Sequence, residues 1–377
     1  MIYVVRPGDT LGDIAVWFGV SVAELQFLNQ IPNSEVIIPG QALLIPQPPR
    51  EGSFSIQVNG YAYPFISRWI LRETLRSLNL LSVFTYGFRA EGALLPPKLN
   101  DTWMVERALA ADVAAAMVLA PMTPEENFSN LLLVQLLEDP AAQRRLLDEI
   151  AETMAEKGFT ELNIDFEFVP AANRDALTEF VRRAKARLPY DVSVCLAPKS
   201  SANQRGLLYE GKDYRALGEV AARLLIMTYE WGYKFGPPLA VAPINRVREV
   251  VQYAVTEIPR EKLSLGLANY GYDWPLPYIR NLTIARTIGS IEAVSIARRE
   301  GAEILFDPTA MSPWFRYRRN GILHEVWFED VRSWQAKFDL VKEFGLGGIG
   351  IWTVMNLNRP GLTLLSRNFR KTETGTV

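Results

Sequence analysis

The segment Leu162–Val169, LNIDFEFV, carries an amide and two carboxylates at alternate positions: Asn163, Asp165 and Glu167. A strand puts these three side chains on one face and Leu162, Ile164, Phe166 and Phe168 on the other. Two carboxylates on an otherwise apolar strand are costly to bury unless they are partnered or used. The use that fits is acid catalysis. Each carboxylate disfavours ionisation of its neighbour, so Glu167 is kept protonated as a donor with Asp165 beside it. A half-exposed strand with a polar face is the bland alternative for this segment taken alone.

The elements that must position these groups are legible as an alternation. Apolar segments read as strands at Phe54–Tyr61, Leu81–Tyr86, Ala114–Ala120, Glu161–Phe168, Val192–Pro198, Arg223–Tyr229, Leu263–Asn269 and Gly348–Trp352. Amphipathic helical patterns separate most of them, among them Ala142–Lys157, Ala171–Arg187, Pro243–Glu257 and Val331–Glu343. Eight strands with intervening helices imply an α/β fold, a (β/α)8 TIM barrel. A doubly wound open sheet is the alternative, but VNGYAYPF after the first strand is not the Gly-rich phosphate loop expected there. A stretch at about 286–328, with a helix at Ile291–Arg299, reads as a small α+β insertion before the last strand.

In such a barrel the C-terminal strand ends carry the active site. Those ends hold Tyr61, Tyr86, Asp165, Glu167, Tyr229, Glu230, Trp231, Asn269, Tyr270 and Trp352. Aromatic faces stack on the C–H faces of sugar rings, while carboxylates and amides bind hydroxyls. Any one aromatic could as well be core; the whole set, mixed with acids, points to a carbohydrate site.

Residues 1–47 form a separate unit. A strand at Tyr3–Val5, a Pro7-Gly8-Asp9 turn, two short capped helices and a returning strand at Gln41–Ile45 make a βααβ domain. Residues 48–52, within the run PQPPREG, read as a stiff linker, and 53–377 form the barrel domain.

Composition narrows the classes. The formal net charge of −2 leaves no basic footprint for nucleic acid. Cys195 is the single cysteine, so no intrachain disulfide can form, and His324 is the single histidine, which argues against a His-rich zinc site or a Ser-His-Asp triad. No metal and no cofactor is expected. MIYVVRPGDT lacks the basic and apolar regions of a signal peptide, so synthesis in the cytoplasm without a leader is expected, and no segment is long enough to span a membrane.

YVVRPGDTLGDIAVWFGVSVAELQFLN and IIPGQALLIP resemble the LysM family, which binds N-acetylglucosamine chains in chitin or peptidoglycan. The resemblance implies a glycan groove with Gly8, Asp9, Thr10 and Leu11 on one side and Ile31, Pro32, Ile37, Ile38 and Pro39 opposite. Gly12 stands where many such modules carry a larger residue.

LNIDFE, with MTYE and GIGIW, resembles family 18 glycoside hydrolases. That resemblance implies that Glu167 is the general acid, that Asp165 orients the substrate's acetamido group, that Tyr229 donates to the acetamido carbonyl and that Trp352 floors the cleavage point. Asn163, Tyr61, Tyr86, Glu230, Trp231, Asn269 and Tyr270 are the further expected substrate contacts. Thr160 and Asn163 replace two aspartates of the family signature, so Asp165 lacks a second carboxylate with which to share a proton. MTYEWGYKFGPPLAVAPINRVREVVQYAV, LANYGYDW and HEVWFEDVRSWQAKFDLV further resemble spore cortex-fragment lytic N-acetylglucosaminidases, which implies a peptidoglycan substrate and a place on the spore. A chitinase and a non-catalytic, lectin-like glycan-binding protein are the other readings; the second usually lacks the signature glutamate, which is present here.

Overall fold

The computed structural model describes residues 1–32, 36–48 and 52–372. Pro49, Arg50 and Glu51 of the expected linker, and 373–377 of the expected barrel domain, lie outside the described residues.

The N-terminal unit is built by local signals. Thr10 caps the helix Leu11–Phe18 by accepting from the Asp13 amide at 3.1 Å. Ser21 and Glu24 form a capping box on the helix Val22–Asn29. Strands Ile2–Val4 and Ala42–Leu44 pair antiparallel. Val5, Ile14, Leu25, Ile31, Ile37 and Leu43 fill the small core between them.

Eight parallel strands close the barrel. In chain order they are Phe54–Ala62, Leu80–Phe88, Ala114–Leu119, Glu161–Ile164, Asp191–Leu196, Arg223–Ile226, Leu263–Ala268 and Gly348–Trp352. Each pairs with the next, and the eighth returns to the first through Gly348↔Gln57 to Ile351↔Gly60. Helices such as Pro140–Lys157, Arg174–Arg187 and Val331–Phe344 bury their apolar stripes on the outside. At the C-terminal mouth, Tyr61, Phe84, Val118, Cys195 and Leu225 pack as one cluster, with Met227 and Trp352 against it.

The insertion is larger than the sequence suggests. Its five-stranded antiparallel sheet begins at Gly271–Leu276, directly after the seventh barrel strand, not near 286. Gly271–Leu276 pairs with Ile322–Trp327 on one side and, over 271–273 only, with Arg286–Ile288 on the other. Pro275 therefore falls beyond the second partner, where its missing N–H leaves no ladder bond unmade. Ile288, Ala293, Ile296, Phe315, Val326 and Phe328 form the insertion's own core.

The N-terminal unit packs on this insertion and on the barrel. Ile38 belongs to the insertion's core, and the Ile304 amide donates to Pro39 O at 3.1 Å. Arg332, Arg359 and Arg367 donate to the carbonyls of Gly40, Phe27 and Ile45. Among the described residues, no single helix is long and apolar enough to cross a membrane.

Candidate active site

The fourth barrel strand is regular only to Ile164, and the Asp165 amide extends it by one bond, to Leu119 O at 2.8 Å. This delivers Asp165 and Glu167 to the mouth. They line a cleft of about 340 Å³ with Tyr61, Cys195, Tyr209, Met227, Tyr229, Glu230, Trp231 and Trp352. Asp165 is buried and its Oδ1 has no hydrogen-bond partner among the described residues. Burial, and then the charge of Glu167, push the Asp165 carboxyl up to about 8 against the pull of Lys212. Burial also raises Glu167, with Lys212 opposing and Glu230 adding to the rise. The two carboxyls titrate as a pair, and the pair holds one proton over a window that reaches to about pH 8.

Trp352 ends the eighth strand. Its ring meets Phe84 at 5.0 Å and 77°, Tyr61 at 5.6 Å and 57°, and Tyr63 at 6.1 Å and 65°. Two of these rings, Tyr63 and Phe84, also line a second cavity of about 700 Å³ together with Phe65, Leu99, Met122 and Phe128.

Glu230 sits at φ 69°, a left-handed conformation uncommon for a non-glycine residue. Tyr270 and Tyr272 hydroxyls both donate to its Oε1, the latter at 2.8 Å. Burial raises its carboxyl while these two bonds lower it. Tyr270 therefore supports Glu230 and does not line the cleft.

Three other expected contacts lie elsewhere. Asn163 is deeper in the barrel: its Oδ1 accepts from Tyr61 OH at 3.2 Å and from the Cys195 thiol at 3.3 Å, and its Nδ2 donates to Ser193 at 2.8 Å. Asn269 donates to the Thr353 and Asn356 carbonyls and so pins the loop after the eighth strand. Tyr86 is fully buried outside the barrel wall, where its hydroxyl bonds Asp101 at 2.5 Å and Lys157 at 2.9 Å. A register shift between Val83 and Tyr86 is the reason. It turns Phe84 inward and Tyr86 outward, against simple alternation.

In the N-terminal unit, Gly8, Thr10 and Pro32 are exposed and Asp9, Leu11 and Pro39 half-buried. Asp9 Oδ2 already accepts from Tyr3 OH at 2.6 Å and from the Arg6 amide, and Thr10 caps its helix. Ile31 and Ile37 are core, and Ile38 is covered by the insertion, so these three do not face a groove. A short apolar run could not reveal which of its members the insertion covers.

Lys212, Tyr63, Tyr209, Cys195 and Tyr272 were not expected here. Lys212 is the most consequential: it is 1% exposed and donates to the Phe166 carbonyl, between the two acids. In GKDY it reads as an ordinary loop cation, and only the tertiary fold buries it. Among the described residues, no group of three or more His, Cys, Asp and Glu side chains forms a metal site.

Residues 124–356, more than half the chain, match the family model described as Glycosyl hydrolases family 18. The chain belongs to glycosyl hydrolase family 18. Residues 3–46 of this family 18 hydrolase match the LysM domain. It is 39% identical to the cortical fragment-lytic enzyme of Bacillus subtilis (strain 168), over 93% of this chain and 94% of that protein. Its fold matches the crystal structure of the Bacillus cereus spore cortex-lytic enzyme SleL with a TM-score of 0.93 and 31% identity, over 100% of this chain and 99% of that one. The Bacillus megaterium QM B1551 spore cortex-lytic enzyme SleL matches with a TM-score of 0.81 and 35% identity, over 99% and 87%. The glycosidase fold, the barrel and the LysM domain expected from the sequence are therefore present.

Proposed function

We propose that this family 18 hydrolase is an N-acetylglucosaminidase of spore cortex peptidoglycan that retains anomeric configuration and uses the substrate's own acetamido group as nucleophile. The observation that carries this reading is the pairing of Asp165, buried, and Glu167, half-buried, in one cleft with Tyr229 and Trp352. Retaining glycosidases generally need an acid and a separate carboxylate nucleophile; family 18 is an exception, because the 2-acetamido oxygen attacks the anomeric carbon. Glu167 donates its proton to the glycosidic oxygen as the C1–O bond breaks. The acetamido oxygen closes on C1, Asp165 accepts the acetamido N–H and balances the oxazolinium charge, and Tyr229 OH steadies the acetamido oxygen. Water then opens the ring, giving its proton back to Glu167. The likeness to proteins described as cortical fragment-lytic and spore cortex-lytic enzymes supports the substrate class.

The reacting sugar is N-acetylglucosamine. A muramic lactam has no free acetamido oxygen, and N-acetylmuramic acid brings a carboxylate that the Asp165–Glu167 pair repels and that burial disfavours. Digestion of cortex muropeptides, borohydride reduction and mass analysis should find reduced N-acetylglucosamine ends. Reduced muramic ends would make the enzyme a muramidase and overturn this reading; turnover of chitin oligomers without cortex cleavage would make it a chitinase.

A further inference from the structure

Lys212 lies in the segment after the fifth barrel strand and is sealed from solvent. Its ammonium donates to the carbonyl of Phe166, the residue between Asp165 and Glu167, and makes no ion pair among the described residues, though the charges of Asp165 and Glu167 act on it. The neighbouring Gly211 backs directly onto Val169: a Cβ there would stand 2.1 Å from Val169 O. The Lys212 loop is thus clamped beneath the acidic segment at both ends. A lone buried ammonium is costly, and a chain retains one where a nearby negative charge or a task offsets the cost.

Asn163 leaves such a task open. Its Oδ1 accepts from Tyr61 and Cys195 and its Nδ2 donates to Ser193, and among the described residues it makes no hydrogen bond to Asp165. Ser193 in turn donates to Glu161, which Arg223 binds, and this chain locks the amide in that orientation.

We propose that Lys212 is a positioning residue for the glycosidase reaction: it holds the backbone between the two acids and supplies the positive charge that lets the Asp165–Glu167 pair carry one negative charge beside its one proton. This rests on the reading of Asp165 and Glu167 as the reacting pair. The site is then neutral in its reactive state, with one ammonium, one carboxylate and one carboxylic acid. The charges that act on Lys212 are Asp165, Cys195 and Glu167. Burial pushes the Cys195 thiol and the Tyr61, Tyr63 and Tyr229 phenols up, so these stay neutral near pH 7, and Glu230 is bound by Tyr270 and Tyr272. Burial lowers Lys212 itself to about 8, so its charge fades in the same range in which the acid pair loses its proton.

The sign of the effect follows. The Lys212 charge lowers both Asp165 and Glu167. Without it both carboxyls bind protons more tightly, and both limbs of the pH–kcat/KM curve move to higher pH, by about one unit for a nearby opposite charge. Lys212→Gln keeps a donor for the Phe166 carbonyl and removes the charge; Lys212→Met removes both. Both variants should show the alkaline shift on a short soluble N-acetylglucosaminide, with kcat/KM reduced up to about tenfold along the acid limb for a one-unit shift. A Gln variant with the wild-type profile would reduce Lys212 to a structural donor and overturn the proposal, whether or not the Met variant folds. Glu167→Gln assayed in parallel separates the two claims: if it keeps full activity, the acid assignment fails first.

Discussion

At the scale of the residue, the site depends on two carboxyls whose burial disfavours ionising both near neutral pH. Burial raises both, and Asp165 reaches about 8 with Glu167 beside it. The reactive form carries a single proton, so activity should fall above about pH 8 as that proton leaves and fall again in acid as a second one arrives. A profile still rising at pH 9.5 would contradict this. Glu167→Gln keeps the shape and removes the transferable proton, and should lower kcat by about 10²–10⁴ while ligand binding persists. NMR of the wild-type reaction should show the retained anomer released first. These two acids were legible because strand alternation is a local rule. Lys212 was not, because nothing local separates a buried lysine from a solvated one.

Elements explain which other readings held. The eight strands appear within a few residues of the expected positions because each is an apolar run bounded by turn residues or helix caps. Tyr86 failed because a register irregularity, invisible in the one-dimensional pattern, reverses its face. Asn269 sits at its expected strand end, yet it braces the Thr353 and Asn356 carbonyls instead of facing substrate. The segments after the first three strands build the second cavity, where the exposed Phe65 ring stacks on Tyr63 at 5.2 Å and 23°. A second cavity whose Tyr63 and Phe84 rings pack on Trp352 suits a glycan that extends beyond the reacting sugar. Phe65→Ala should raise KM severalfold on long glycan strands, a loss of about 1 kcal/mol of stacking, and leave a disaccharide substrate unaffected. Equal loss on both substrates would mean that Phe65 serves the fold instead.

At the scale of the whole molecule, the LysM domain sits against the barrel at a defined angle. A flexible tether would raise local concentration according to its length alone. Here Ile38 is part of the insertion's core, and three arginines of the barrel bind carbonyls of the LysM domain. Arg359 also stacks over Phe27, 4.0 Å from the ring centroid. The tightest approach is at Gly40, whose φ is +81° and where a Cβ would stand 1.7 Å from Ile304 O. Only glycine fits this conformation and this gap. The two domains should therefore melt in one cooperative calorimetric transition. Gly40→Ala forces the backbones apart and puts a side chain at an unfavourable φ, at a cost of 1 kcal/mol or more for the backbone alone, by an order-of-magnitude estimate. It should lower the melting temperature or split the transition in two. Gly40 contributes nothing to the cleft, so kcat on a short soluble substrate should stay at the wild-type value. A single transition at the wild-type temperature would show that the contact at Gly40 does not hold the domains together.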